Sequence, residues 1–351
     1  MPNRYASYTL EAQKTEKQGC LTIRRINIPK HKSGMFDQSV AFGAYAMKTI
    51  QLTNGNNYDL IFSTSSRLMT GLLGAFLARR LRVPLYLDIR DIFVDTIEDI
   101  FSPPWKWLLQ RIFSNLENYL VNSADSINLI SRGFLPYFEK RYPDNHYTVF
   151  TNGVDEQFLK NKIKPKEQNL RRPLAVVYAG NFGEGQGLHN IVPKLAKRFE
   201  GTIQFVLVGD GGQKQKLISA IKMLGCKNIE IQRPLDRKEL WRLYQKADIL
   251  FLHLNDHKAF EKVLPSKLFE YASTGKPIWA GLKGYASDFM NENIDNCAIF
   301  SPFDIEEAEL AFKKLKVVTM PRHRFNKKFS SKEILDKMAK DIIRFAQKDE
   351  V

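Results

Sequence analysis

Lys267 and Glu270 stand three residues apart behind Pro265-Ser266, in the run Lys262-Val-Leu-Pro265-Ser266-Lys267-Leu268-Phe-Glu270-Tyr-Ala. Proline then serine suits the start of a helix, where the N–H that proline lacks has no intrahelical partner anyway. The first N–H groups of such a helix face outward at the positive end of its dipole. The amides of Ser266 and Lys267, with the mobile Lys267 ammonium, can therefore receive a diphosphate. Glu270, one turn further along the same face, can accept two hydroxyls of a pentose. The same spacing also describes an ordinary ion pair on a helix surface, and spacing alone favours that plainer reading slightly.

Two glycine-rich turns precede this run. Val206-Leu-Val-Gly209-Asp210-Gly211-Gly212 lies where a strand pattern ends and a helix pattern begins, and Tyr178-Ala-Gly180-Asn181-Phe-Gly183-Glu-Gly185-Gln186-Gly187 repeats the arrangement. Glycine lets backbone approach a ligand closely, and the helix that follows offers free amides to phosphate. Either turn alone is also just a turn. Two of them on neighbouring strand ends make a phosphate and base site more specific than one does.

The elements that must carry these residues read as two alternating series. Strand patterns at 59–64, 83–88, 126–130 and 147–151 are separated by helical patterns at 69–81, 103–120 and 134–140. A polar stretch at 160–172 reads as a linker. Strands at 174–179, 203–208, 229–232, 249–254 and 277–280 then alternate with helices at 188–199, 213–224, 237–246 and 265–273, and an amphipathic helix closes the chain at 330–346. Strand–helix alternation at this spacing gives parallel sheets with right-handed crossovers. The expected fold class is α/β: two doubly wound, Rossmann-like domains facing each other across a cleft, with the ligand at strand C-termini. The domains are placed at 1–158 and 159–329, with the helix at 330–351 packing back on the first.

Composition narrows the partners. The chain has 351 residues, enough for two domains, with 53 Lys and Arg against 38 Asp and Glu, a net charge of +15. That excess suits phosphorylated substrates, anionic headgroups or nucleic acid alike, and a lysine-rich solvated surface accounts for much of it. Nucleic acid is set aside because no zinc-finger, RNP or helix-turn-helix signature accompanies the charge. Cys20, Cys226 and Cys297 are odd in number and widely spaced, so neither a disulfide framework nor a zinc site is expected, and a reducing cytoplasm is the natural setting. Apolar runs stay well short of the roughly 20 residues a membrane span needs, and Met1-Pro-Asn-Arg-Tyr5 is no secretory signal.

The two glycine turns, the Pro-Ser-Lys-Leu-Phe-Glu-Tyr helix start and Thr274-Gly275-Lys276-Pro277 occur in the order found in one family. Together they resemble the donor half of retaining glycosyltransferases of family 4, with the GT-B fold. Asp88-Ile-Arg90-Asp91 and Thr151-Asn152-Gly153-Val154-Asp155 are similar to that family's acceptor half and inter-domain strand end. The resemblance is strongest to the bacterial branch that builds capsule and the O-antigen of lipopolysaccharide, including amino-sugar (fucosamine-type) transferases.

That resemblance implies transfer from a nucleotide-sugar, most often UDP-linked, with retention and no bound metal or other cofactor. It implies a lipid-linked saccharide acceptor at the inner face of the cell membrane, where the chain would be a peripheral, cytoplasmic protein. Carried onto this sequence, Arg90 and Asp91 would contact the transferred sugar and Lys267 the leaving diphosphate. Gly180, Asn181, Gln186, Gly209, Asp210, Gly211, Pro265, Ser266, Leu268 and Glu270 would surround the nucleotide. Glu261 and Lys262 would reach the donor sugar's hydroxyls. Asn181 and Gln186 replace an arginine and a lysine common in relatives, and Lys262 falls where a glutamate is usual, so the sugar contacts are the least transferable part. A nucleotide-sugar epimerase of the same fold, and an inactive sugar-nucleotide-binding relative, are the competing readings.

Two further expectations concern the first domain. No strand, glycine loop and helix of the family's usual kind precede the segments around Met1-Tyr5 and His31-Gln38, so the first β-α-β unit is expected to be missing. Pro103-Pro-Trp105-Lys-Trp107-Leu-Leu-Gln-Arg111-Ile-Phe113 combines tryptophans, apolar residues and cations in one helix. It fits either an interfacial helix on an anionic membrane surface or a core helix with its tryptophans turned inward.

Overall fold

Runs of β-branched and aromatic residues punctuated by amphipathic stretches give two parallel sheets, one in each half of the chain. The computed structural model describes residues 13–29, 35–65, 67–92, 105–160 and 173–347. The first half begins with an antiparallel hairpin, β1 (Thr15–Gln18) and β2 (Leu21–Arg24), followed by α1 (Met35–Thr53). Then come β3 (Ile61–Ser65), α2 (Leu68–Leu81), β4 (Leu85–Ile89), α3 (Trp105–Asn122), β5 (Ser126–Leu129), α4 (Leu135–Arg141), β6 (Tyr147–Thr148) and the short α5 (Glu156–Lys160). The sheet order is β3-β4-β5-β6, all parallel.

The second half runs β7 (Leu174–Asn181), α6 (Leu188–Arg198), β8 (Ile203–Asp210), α7 (Lys214–Met223), β9 (Ile229–Gln232), α8 (Arg237–Lys246) and β10 (Ile249–His253). It continues with α9 (Ser266–Ser273), β11 (Ile278–Gly281), α10 (Tyr285–Asn293), β12 (Cys297–Phe300), α11 (Ile305–Lys314) and α12 (His323–Lys328), and α13 (Ser331–Ala346) ends it. Its sheet order is β12-β11-β10-β7-β8-β9, so the first strand is central and the order reverses around it. Alternate residues of these strands bury on opposite faces: Val177, Ala179, Val208, Leu252 and Ala280 on one, Tyr178, Phe205, Leu207, Phe251 and Trp279 on the other. A parallel sheet covered on both sides is the expected consequence of βα crossovers.

The first half is built differently. Leu85, Leu87, Ile89, Ile127 and Leu129 bury against α2, α3 and α4 in a single core cluster. The opposite face is covered by the returning C-terminal helix: Tyr86 Oη donates to Asp341 Oδ2 at 2.8 Å and its ring meets Phe345 edge-on. Helix α13 is tied to the chain where it leaves the first half, because Val154 N donates to Phe329 O and Ser331 N to Val154 O. A Cβ at Gly153 would lie 2.8 Å from Phe329 O, so the crossing needs a glycine there.

Strand β3 is the sheet's outer edge. Ile61 N bonds Pro84 O and Ser65 O receives Arg90 N, which turns the amides of Phe62 and Thr64 away from β4. Among the described residues no strand lies beyond them and the strand order does not reverse. The expected absence of a first β-α-β unit concerns this edge. Met1-Tyr5 and His31-Gly34 lie outside the described residues, as does the linker from 161 to 172. The β1–β2 hairpin, β12 and helices α1, α5 and α10 to α12 were not foreseen from sequence patterns.

Candidate functional site

Beside the reversal of strand order at β7 a crevice opens at the carboxyl ends of β7 and β8, the usual ligand side of open α/β sheets. Glycines permit it. Gly209 has φ +150, and a Cβ there would lie 1.8 Å from Gly180 O. A Cβ on Gly180 would in turn press Tyr178 Oη at 2.8 Å and Lys267 Cε at 3.2 Å. Because position 180 is bare, the Lys267 stem can pass over β7 and lay its ammonium into the crevice. The resulting cavity, about 310 Å3, is lined by Gly180, Asn181, Gly209, Asp210 and Lys267 at one end and by Pro234, Leu235 and Leu240 at the other.

Helix α9 enters this cavity amino-end first. Pro265 is its N-cap and no side chain caps the first turn, so positive dipole faces the space beside Lys267. Lys267 Nζ lies 3.2 Å from Glu270 Oε2, and Tyr244 Oη donates to the same oxygen at 3.4 Å. Both readings of the Lys267/Glu270 spacing thus meet in one object: an ion pair, and one at the rim of a cavity. Below it, the wholly buried Tyr271 hydroxyl receives Ala179 N at 2.9 Å, locking α9 to β7.

The other residues singled out from sequence distribute as follows. Asn181 projects between the two glycine turns, close enough that a Cβ on Gly183 or Gly211 would strike its amide. Asp210 Oδ1 accepts from Gly211 N at 2.9 Å. Gln186 closes its own turn by accepting from Gly183 N at 3.3 Å. Leu268 departs from expectation: its side chain is fully buried in the core and its N–H donates to Pro265 O, so it offers the cavity neither group. Ser266 is exposed at the helix start. Glu261 and Lys262 sit in a turn at the seam between the halves. Lys262 O accepts from Ser131 Oγ at 2.7 Å and its ammonium stands 5.1 Å from the Tyr137 ring, so neither residue lines the glycine cavity.

Across the seam, Arg90 stands at the carboxyl end of β4. Its Nε donates to Asp88 Oδ2 at 2.8 Å and to Thr64 Oγ1 at 3.0 Å, and Nη1 reaches Asn152 Oδ1 at 3.5 Å. Asp88 is fully buried and also accepts from Thr64 Oγ1 and Asn128 Nδ2. Three strands therefore fix the guanidinium's orientation while it remains partly open to solvent. Asp91 is half-buried and accepts from Ile92 N.

Sequence reasoning missed His253. It ends the apolar strand β10, fully buried, with Nδ1 donating to Gln186 O at 2.8 Å and Nε2 accepting from Phe303 N at 3.4 Å. Burial pushes its pKa down to about 4, so the neutral ring pins the first glycine turn to the loop after β12. A lone polar residue in the run Ile-Leu-Phe-Leu-His was the available signal. The Pro234-Leu235 wall was also missed, since nothing in that dipeptide marks it apart from an ordinary turn. A wider hollow of about 500 Å3 runs along the outer strand β12 past Lys283, Ser287 and Glu307, away from both glycine turns. Among the described residues no cluster of His, Cys, Asp and Glu has the makings of a metal site.

Fold and crevice together define the GT-B class of two-domain α/β proteins. Sucrose-phosphate synthase from Thermosynechococcus elongatus superposes with a TM-score of 0.71 at 12% identity, covering 95% of this chain and 86% of that one. The Anabaena protein HepE in complex with UDP-glucose gives 0.65 at 16% identity over 90% and 85% of the two chains. The lipopolysaccharide outer core galactosyltransferase WaaB gives 0.59 at 15% identity over 90% and 84%. Residues 160–330, the half that holds the cavity, match the family model described as Glycosyl transferases group 1. A putative colanic acid biosynthesis glycosyl transferase, WcaI of Escherichia coli K12, is 25% identical over 163 residues, which span 44% of this chain and 40% of that relative.

Proposed function

We propose that the chain is a retaining glycosyltransferase that moves a sugar from a nucleoside diphosphate sugar, UDP-linked, to a saccharide acceptor in surface polysaccharide assembly. The observation that carries this reading is the single cavity uniting the Gly180 and Gly209 turns with Lys267 and the start of α9. It offers an apolar slot for a base, backbone for a pyrophosphate and a cation where a doubly charged group would leave. Glu270 would exchange its contact with Lys267 for the ribose hydroxyls.

In the proposed reaction the bond from the anomeric carbon to the distal phosphate oxygen breaks and its electron pair leaves with the diphosphate. Lys267 and the α9 amides stabilise that charge through preorganised donors. The acceptor hydroxyl bonds the same face of the anomeric carbon, and its proton passes to the departing phosphate. Arg90, held by Asp88, reaches the sugar from the opposite wall. The resemblance to fucosamine-type transferases supports an amino or deoxyamino sugar and an acceptor carried on a polyisoprenoid diphosphate at the cytoplasmic face of the membrane. A panel of UDP-, GDP- and dTDP-sugars, assayed for nucleotide release with and without lipid-linked saccharide, tests this. UDP release with a sugar-bearing product is the expected outcome. Exchange at the sugar's second carbon without an acceptor would establish an epimerase instead, and silence toward every donor would remove the reading.

A further inference from the structure

Helices α2 and α3 lie side by side on one face of the first sheet and pack against each other. Their inner sides are filled by Leu68, Ala75, Leu120 and Val121. Their outer sides are not covered. Trp107 is 66% exposed and Phe76 47%, and Leu108, Ile112, Tyr119 and Met69 are exposed with them. At a helical pitch of 100° per residue, Trp107, Leu108, Arg111, Ile112, Asn115, Asn118 and Tyr119 share one side of α3. No carboxylate stands among them. The helix's one acidic residue, Glu117, is turned inward and bonds Tyr137 and Tyr142. Helix α2 carries no acidic residue, and Arg79 and Arg80 close its last turn. The Arg111 guanidinium lies 5.8 Å from the Trp107 ring centroid.

Exposed apolar residues scattered singly need no partner, but several aromatics and aliphatics on two adjacent helices, with Arg79, Arg80 and Arg111 beside them and the single carboxylate Asp125 near Arg79, do. We infer that this face of the first half docks on an anionic lipid surface, with Trp107, Ile112, Phe76 and Met69 at headgroup depth and Arg79, Arg80 and Arg111 paired with lipid charge. Aromatic–arginine combinations are the composition of interfacial helices, and two helices whose described outer residues carry cations and no carboxylate are complementary to acidic headgroups. The chain's +15 charge adds attraction at longer range. Topology places the face usefully. Each helix is the crossover from one parallel strand to the next, α2 from β3 to β4 and α3 from β4 to β5, so their first residues Met69, Trp107 and Leu108 lie towards the carboxyl end of the sheet, as Arg90 does. The purpose of docking rests on the proposed transfer to a lipid-carried acceptor, which the bilayer would present to the cleft mouth. Its detection does not.

Flotation of the full chain with phosphatidylcholine vesicles, with and without phosphatidylglycerol, tests the inference. Binding is expected with phosphatidylglycerol and at least about tenfold less without it. Trp107→Ala/Ile112→Ala and, separately, Arg79→Gln/Arg80→Gln/Arg111→Gln should each lower vesicle binding about tenfold or more. Thermal shift by UDP in the same variants should match the wild type, which reports an intact fold and keeps this test separate from the transferase reading. Absence of wild-type binding, or unchanged binding in both variants, would overturn the inference. So would a wild-type dimer in light scattering that the tryptophan–isoleucine variant converts to monomer without vesicle binding, since the face would then belong to a second copy.

Discussion

The carboxyl-terminal half extends its sheet on both sides of its first strand, β7, whereas among the described residues the amino-terminal half has no strand beyond β3. In the former, two apolar clusters cover both sheet faces and a crevice opens beside the reversal of strand order. In the latter, one cluster covers one face, the returning α13 covers the other, and Phe62 stays 44% exposed beside Tyr86. The contrast separates two tasks. The second half encloses the glycine-lined cavity entirely within itself. The first offers a fixed arginine and surfaces suited to being covered by something larger.

Four changes would break or sharpen this contrast. The largest effect belongs to Gly209→Ala, which drives a Cβ into Gly180 O at an unfavourable φ. It should cost ~3 kcal/mol or more in denaturant unfolding and abolish UDP binding.

His253→Phe comes next, read as a pH slope. The folded-state pKa of His253, about 4, is below the unfolded value of about 6.5. The unfolded chain therefore binds the extra proton in that window, and stability falls as pH drops from 6.5 toward 4 by on the order of 3 kcal/mol. Urea unfolding against pH should show this slope in the wild type and its loss in the variant.

Asp88→Asn acts in the other half. It loosens the Arg90 guanidinium by replacing a buried carboxylate with an amide that cannot accept from all three donors, at about 2 kcal/mol. Turnover should drop while the dissociation constant for UDP stays put. If UDP binding weakened equally, the two halves would not be separable as described. The smallest effect is expected at Gly43→Ala. That helical glycine has open space around its Cβ position, so the change should raise stability by about 0.5–1 kcal/mol.

How much of this was legible in the sequence differs between the halves for the same reason. The strands β7, β8, β10 and β11 announce themselves through apolar runs, which in β7, β8 and β11 reach a glycine, because a doubly covered sheet demands continuous hydrophobicity. Gly180, Gly209 and Lys267 were readable since their spacing reflects close backbone approach. Leu268 was misassigned because proximity in sequence does not say which side of a helix faces the core. Lys262 and Glu261 reach the domain seam through a turn whose path no periodicity encodes. The Asp88 network joins Thr64, Asn128 and Arg90 on three strands, a contact set that only the sheet register brings together. The β1–β2 hairpin, with its mixed polar strands around Gly19, has too little alternation to register.

The central claim is that Lys267 meets a diphosphate while Glu270 holds the adjoining pentose. Calorimetric titration of UDP and of uridine into the wild type, Lys267→Ala and Glu270→Ala measures it directly. Loss of Lys267 should weaken UDP by at least about tenfold and leave uridine unaffected, as expected for a charge-assisted contact to the diphosphate alone. Loss of Glu270 should weaken both. Equal UDP affinity in the wild type and Lys267→Ala, or no binding of UDP to the wild type, would contradict the account.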